Sequence, residues 1–186
     1  RLLGSQPVGV VRARELLARA VAPLRPEGRP LFSGLKSLPM PASDLGAVWR
    51  LGDLLREYRG DSHTAAWISA GVDATEIGLL SELYWGLPMR SYSRTRAWTD
   101  EQFEAAHQRL RSRGLVDEVG FTDAGLQLRE EIEEHTDQQM TGVVRVLGDS
   151  LPELVQLLGP WGEAVRTGLG YPASGPHDLA NVANSR

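Results

Sequence analysis

The chain has 186 residues, a formal net charge of −4, 41% hydrophobic residues and no cysteine. That length supports one substantial core, or one domain with an extension. Disulfide and thiolate chemistry are excluded, the acidic balance leaves no overall electrostatic footprint for nucleic acid, and no apolar run reaches the roughly 20 residues that span a bilayer.

From the N-terminus, residues 7–24 read as an Ala/Leu/Val/Arg helix with Val10, Leu17, Val21 and Leu24 along one side, closed by Pro23 and Pro26. Pro26, Pro30, Pro39 and Pro41 break up residues 25–43, leaving room for one short helix at 31–38. Leu31, Phe32, Leu35 and Leu38 make this stretch a packed connector rather than a free linker.

Ser43 or Asp44 is expected to cap a helix running to about Tyr58, with Leu45, Val48, Trp49, Gly52 and Leu55 as its core stripe. Arg59-Gly60-Asp61 is expected to break it, and Asp61 or Ser62 to cap a further helix through Ala70, ended by Gly71. The next start signal is more complete: Asp73 as cap, Glu76 as its reciprocal partner, and Val72 against Ile77 as a hydrophobic staple. That helix carries Leu79, Leu80, Leu83, Tyr84 and Trp85, apolar nearly all round, which predicts a buried position.

Residues 86–98 form a loop longer than a tight helix-turn-helix turn. Thr99 and Gln102 then have capping-box spacing, with Trp98 and Phe103 as staple, and Phe103, Ala106 and Leu110 mark one apolar face near Arg109, Arg111 and Arg113. Gly114 stops the helix. Leu115, Val116, Val119 and Phe121 suggest two short strands about Asp117-Glu118 and Gly120. Thr122 opens a single long helix over 123–147, with Ala124, Leu128 and Ile132 inward and Glu130, Glu131, Glu133, Glu134 and Asp137 on an acidic outer side. Two last helical pieces, 151–158 and 161–169, are separated by Gly159-Pro160, and a Pro/Gly/Ser/Asn-rich tail follows from Tyr171. The expected fold is mostly α: a winged helix-turn-helix with a short β-hairpin wing and extra flanking helices.

The run Leu110, Arg113-Gly114-Leu115-Val116, Phe121-Thr122 and Ala124-Gly125 resembles the stretch in MarR-type winged helices that leaves the recognition helix, makes the wing and enters a long helix. Most of residues 10–172 also resemble an actinobacterial helix-turn-helix family whose members share three segments in this order: GRPLF with LP.P, an RGDxH segment, and this wing. The counterparts here are Gly28-Arg29-Pro30-Leu31-Phe32 with Leu38-Pro39-Met40-Pro41, and Leu55-Arg56-Glu57-Tyr58-Arg59-Gly60-Asp61-Ser62-His63, with Tyr58 standing where the family has His. The resemblance implies a further helical segment ahead of Arg1. Residues 1–42 then read as an N-terminal helix and packed connector at the end of a truncated N-terminal domain. Residues 43–148 are the winged-helix domain, 149–172 C-terminal helices and 173–186 a flexible tail.

A DNA reader sets the N-terminal part of its recognition helix against base edges and surrounds it with phosphate contacts. Here that part offers Asp100, Glu101, Gln102 and Glu104, and the wing turn adds Asp117 and Glu118. Arg94, Arg96, Gln102, Arg109 and Arg111 are the residues that would contact DNA, with Arg90 and Arg113 nearby. Charge disfavours that role, and dipole complementarity accounts for the arginines at the helix end.

The second constellation is Arg56 to His63, where guanidiniums, carboxylates, a phenol and an imidazole converge. It could hold an anionic or polar ligand, or use His63 as a base oriented by Asp61. The purely structural alternative has Asp61 capping the helix that follows it and Arg59 pairing with Asp61. Among the aromatics, Trp49 and Trp85 are expected in the core, and Trp67 and Trp98 are the pocket candidates. His63, His107, His135 and His177 lack metal-binding spacing, and no glycine-rich phosphate loop occurs.

The expected function is therefore small-molecule binding by a cytoplasmic regulator or accessory, sequestering protein. Arg56, Arg59, Asp61, His63, Trp67 and Trp98 are its ligand residues, with no metal or cofactor and no membrane partner. The alternative is a ligand-responsive dimeric transcriptional regulator that binds DNA, and an enzyme using His63 and Asp61 comes third. The apolar surface of the N-terminal and C-terminal helices suggests a homodimer, or a complex with the segment ahead of Arg1.

Overall fold

Helix starts and stops follow the local chemistry at most places in the computed structural model, which describes residues 3–168. The elements are α1 (Val10–Val21), α2 (Pro30–Lys36), α3 (Asp44–Ser69), α4 (Ala74–Tyr84), a 3₁₀ turn (Ser93–Arg96), α5 (Asp100–Ser112), α6 (Asp123–Gln138), α7 (Thr141–Leu147) and α8 (Leu151–Thr167). Among the described residues no helix is long and apolar enough to cross a membrane. The expected tail from Tyr171 onward lies outside the described residues.

The chain divides into two compact units. The first takes the chain up to Thr64 and resumes at Thr136; the second is Ala65–His135. The helices α3 and α6 each contribute residues to both.

In the first unit, Val10, Leu17, Val21 and Leu24 are all buried, as their spacing predicted. They join Phe32, Val48, Leu51, Leu54, Tyr58, Val143, Leu147 and Leu154 in one core. Gly9 precedes α1 at φ +80°, a left-handed backbone that favours glycine, and a Cβ there would displace the tip of Leu157.

Three expectations fail here. The helix is not broken at Arg59-Gly60-Asp61: α3 runs 26 residues without interruption. Gly60 is tolerated within it, and Asp61 makes its hydrogen bonds to another helix instead of capping its own. Trp49 is 72% exposed, because the buried stripe of α3 is Ala47, Val48, Leu51, Leu54 and Tyr58, rotated away from the one predicted. Pro160 does not separate two helical pieces but sits inside α8. A proline there costs about 3 kcal/mol, and Leu157, Leu158 and Trp161, packed against the core on either side of it, supply the compensating burial.

In the second unit the two capping boxes form as read. Asp73 accepts from Glu76 N at 2.8 Å while Glu76 accepts from Asp73 N at 2.9 Å. Thr99 and Gln102 do the same for α5. Val72 and Ile77, and likewise Trp98 and Phe103, meet in a core with Leu79, Leu80, Ala106, Leu110, Leu115, Val116 and Ile132. The expected pair of short strands is reduced, among the described residues, to one antiparallel bridge, Val116 with Phe121. Asp117 Oδ1 accepts from Val119 N (2.7 Å) and Gly120 N (3.0 Å), so a side chain rather than a ladder closes the turn. Gly125 has a steric reason: a Cβ there would meet Leu115 O at 1.8 Å.

The single helix expected over 123–147 is also interrupted. It ends at Gln138, turns through residues 139–140 and restarts as α7, which brings Val143 and Leu147 into the first core. Ala124 is exposed, while Leu128 is half-buried and Ile132 buried.

The continuity of α3 gives a direct check. A Cβ on Gly60 would meet only Glu57 Oε2, at an ordinary 3.6 Å. Gly60→Ala should therefore raise unfolding free energy by about 0.5–1 kcal/mol in urea titration, the penalty for glycine within a helix. A loss of stability of that size would instead mark a break at this position.

Candidate functional site

The Arg56 to His63 segment lies in the first unit, and most of its polar atoms are engaged by other helices. Asp61 is 4% exposed. Its carboxylate accepts from Leu31 N at 3.3 Å and Phe32 N at 2.9 Å, so it supplies the N-terminal cap that α2 lacks in its own sequence. Ser62 Oγ donates to Tyr58 O at 2.8 Å and accepts from Arg29 Nη1 at 2.6 Å. The Arg29 guanidinium lies 3.8 Å over the Tyr58 ring and also donates to Gln139 Oε1, while Gln139 Nε2 donates to Ser62 O. The GRPLF and RGDxH segments are thus two halves of one clasp.

His63 Nδ1 lies 3.1 Å from Thr136 Oγ1, and Arg59 pairs with Asp137 at 3.0 Å. Arg56 pairs on the surface with Asp53 and Glu57. Asp61 therefore makes its bonds to α2, where the expectation had it orient His63 or pair with Arg59. Trp67 and Trp98, the two pocket candidates, are half-buried and pack against the core of the second unit.

The second unit holds the surface that would face nucleic acid. Residues 65–135 carry nearly twice as many carboxylates as guanidiniums. Asp100, Glu101 and Glu104 are exposed on the first turns of α5. The Arg90 guanidinium, 2.9 Å from Glu104, holds that carboxyl below its ordinary range. A hydrogen bond from its own amide, and after it one from the Thr99 hydroxyl, do the same for Glu101, and the amides of Val119 and Gly120 for Asp117. All three are firmly anionic at neutral pH.

The arginines in the last turn of α5 and just after it are spoken for. Arg109 Nε donates to Glu76 Oε1 at 2.9 Å and its Nη2 pairs with Asp73, fastening α5 to the capping box of α4. Arg113 Nη1 donates to Gly71 O at 2.8 Å, and Arg111 reaches Glu118 at 3.7 Å. Gln102 is used in its own helix cap. A shallow cleft of about 490 Å³ opens here, lined by Val72, Asp73, Glu76, Arg109, Ser112 and Arg113, with its charges already paired. Arg94 and Arg96 differ: both are exposed on the 3₁₀ turn ahead of α5, with Arg96 5.9 Å from the Tyr92 ring.

Two charged residues that matter were not singled out by the sequence. Glu82, 1% exposed, accepts from Arg90 N, Tyr92 N, Ser93 N and Ser93 Oγ at 2.6–2.9 Å. It holds the loop ahead of α5, in which Arg90 (φ +63°) and Ala97 (φ +60°) adopt left-handed backbone. Arg129, 2% exposed, pairs with Glu133 at 2.7 Å and lies 4.6 Å over the Tyr84 ring. A carboxylate in the apolar run of α4 was the signal for Glu82, since a buried charge needs partners. No group of three or more His, Asp or Glu suited to a metal ion occurs among the described residues.

A model of a helix-turn-helix family matches residues 1–172. No curated protein and no solved structure matches the chain.

The role of Glu82 is open to measurement. Glu82→Gln would turn an amide NH₂ toward donors that need an acceptor, and should cost about 1–3 kcal/mol of stability. Hydrogen exchange at the Tyr92 and Ser93 amides should rise with it, while the α6 amides change only as far as global stability falls. Unchanged exchange at those two amides would show that the loop does not depend on this carboxylate.

Proposed function

We infer the function from one premise: the chain belongs to this helix-turn-helix family. Our reading is that it works as a regulatory or accessory protein that binds a small molecule. Its second unit, of winged-helix type with the Asp117–Gly120 turn as a rudimentary wing, does not read base sequence through α5. The observation that carries the second half of this reading is Arg109. A residue in the position of a phosphate or base contact spends its guanidinium on Glu76 and Asp73, at the far end of a helix whose start is exposed and acidic. Specific recognition draws much of its affinity from guanidinium and ammonium contacts to phosphate, and here the surplus is of the opposite sign.

The first half rests on the Arg56 to His63 segment, where polar side chains meet an apolar core beside α2. Arg59 and His63 are only part-buried, and the clasp around Asp61 joins two segments distant in sequence.

One observation favours the alternative of a dimeric DNA-binding regulator. Arg94 and Arg96 stand exposed on a turn whose backbone is fixed by Glu82, an arrangement able to meet a phosphate backbone. That contact positions a protein without specifying sequence.

Fluorescence anisotropy with duplex DNA at about 150 mM salt separates the two readings, since specific complexes there have Kd of roughly 10⁻⁸–10⁻¹¹ M. The expected result is weak binding, indifferent to sequence and steeply salt-dependent. Nanomolar binding to one operator, lost on Arg94→Ala or Arg109→Ala, would overturn it. For any small molecule found to bind, Arg59→Ala and His63→Ala should each weaken affinity by about 1–3 kcal/mol.

A further inference from the structure

Helix α2 is held in an unusual way. It has seven residues, its own N-cap residue makes no side-chain bond, and Phe32 is its one fully buried residue. Pro26 and Gly28 precede it and Pro39 and Pro41 follow, so both flanks are turns rather than extensions of neighbouring helices. A helix this short is not stable in isolation. Its main anchor to α3 is one residue engaged twice: the Phe32 amide donates to Asp61 Oδ2 at 2.9 Å, and the Phe32 ring meets the Tyr58 ring edge-on at 5.2 Å, while Leu35 packs on the same core and Lys36 Nζ donates to Leu24 O at 3.2 Å. Leu31 N adds a second donor to the same carboxylate, and Arg29 covers the other part of Tyr58.

The atoms that fill this place are a nitrogen donor, two saturated carbons and a phenyl ring, which is the skeleton of an arylethylamine. The receiving side belongs to α3: a buried carboxylate, the Ser62 hydroxyl and a tyrosine ring in the same core as Leu51 and Leu54. Resting on the reading that the Arg56 to His63 segment is the ligand-binding region, we propose that α2 is a detachable plug. The pocket that it vacates on α3 binds an arylethylamine-type cation, with the ammonium on Asp61 and the ring on Tyr58. An ammonium brings a full charge to the carboxylate where the plug brings amide dipoles, so such a ligand competes with the plug by a stronger individual contact. The plug's advantage is its tether. Ligand affinity is accordingly lowered by the fraction of time that the plug is seated, and removing the Phe32 ring lifts that penalty.

The test combines amide exchange with a titration using phenethylamine as probe. In the unaltered protein, the Leu31 and Phe32 amides should exchange at least tenfold faster than those of Leu51 and Leu54, through an opening short of global unfolding. Phe32→Ala should bind phenethylamine at least tenfold more tightly than the unaltered protein, with NMR shift changes centred on Tyr58, Asp61 and Ser62. Adding Asp61→Asn to Phe32→Ala should remove that gain. Equal exchange of Phe32 and Leu51 amides would overturn the plug, as would a folded Phe32→Ala protein that leaves those resonances unmoved by the probe. Should Phe32→Ala fail to fold, the exchange comparison in the unaltered protein decides the matter. The wider ligand-binding reading fails separately, if Arg59→Ala and His63→Ala leave an identified ligand's affinity unchanged.

Discussion

Backbone N–H groups taken out of water must find acceptors, and this chain meets that constraint with buried carboxylates. Asp61 receives the first amides of α2 in the first unit, and Glu82 receives three amides and a hydroxyl of the loop ahead of α5 in the second. Each carboxylate serves the backbone of another segment rather than its own helix start. An unsatisfied buried N–H costs about 1–3 kcal/mol, so each of these two side chains secures a segment that local propensity would leave loose. The short α2 and the left-handed backbone at Arg90 and Ala97 are both tolerated on these terms.

This division of labour explains what could be read from the sequence. The capping boxes at Asp73/Glu76 and Thr99/Gln102, with their staples, involve residues three to five apart, and they form as read. The apolar face of α1 was equally legible, because a 3.6-residue period is a local property. Gly60 and Pro160 were misread for the opposite reason: each is a local breaker overridden by packing on both sides of it. Trp49 illustrates a smaller error, since a shift of about one position along the stripe turns a core residue into a surface one. Asp61 was recognised as a cap but assigned to the wrong helix. Its true partners lie about thirty residues away, and no spacing rule reaches that far.

The candidate site was less legible than the fold. The sequence grouped Arg56, Arg59, Asp61 and His63, whereas the structure gives each its own partners: Arg56 meets Asp53 and Glu57, Arg59 Asp137, His63 Thr136, and Asp61 the amides of α2. Arg29 is the instructive omission. Within GRPLF it looks like a solvent-exposed arginine beside a proline, whereas it stacks on Tyr58 and bonds Ser62 and Gln139. Tyr58 supplies the ring on which that stacking depends.

The electrostatics of the second unit follow from the same economy of partners. Withdrawing Arg109 to a phosphate would take from the buried Glu76 the nearer of its two cations, leaving Arg113 at 3.7 Å, at about 1.5–3 kcal/mol for a lost hydrogen bond between charged groups. A phosphate contact would have to exceed that cost before it contributed any affinity. Asp100, Glu101 and Glu104 add repulsion at the other end of α5. Glu101 and Glu104 carry carboxyls held below their ordinary range, so no proton comes on near neutral pH to relieve it. Arg94 and Arg96 escape this accounting because their guanidiniums are not drawn into the α4 capping box. Any attraction to a polyanion in this unit must therefore arise from the turn ahead of α5, where contacts position a duplex without reading it.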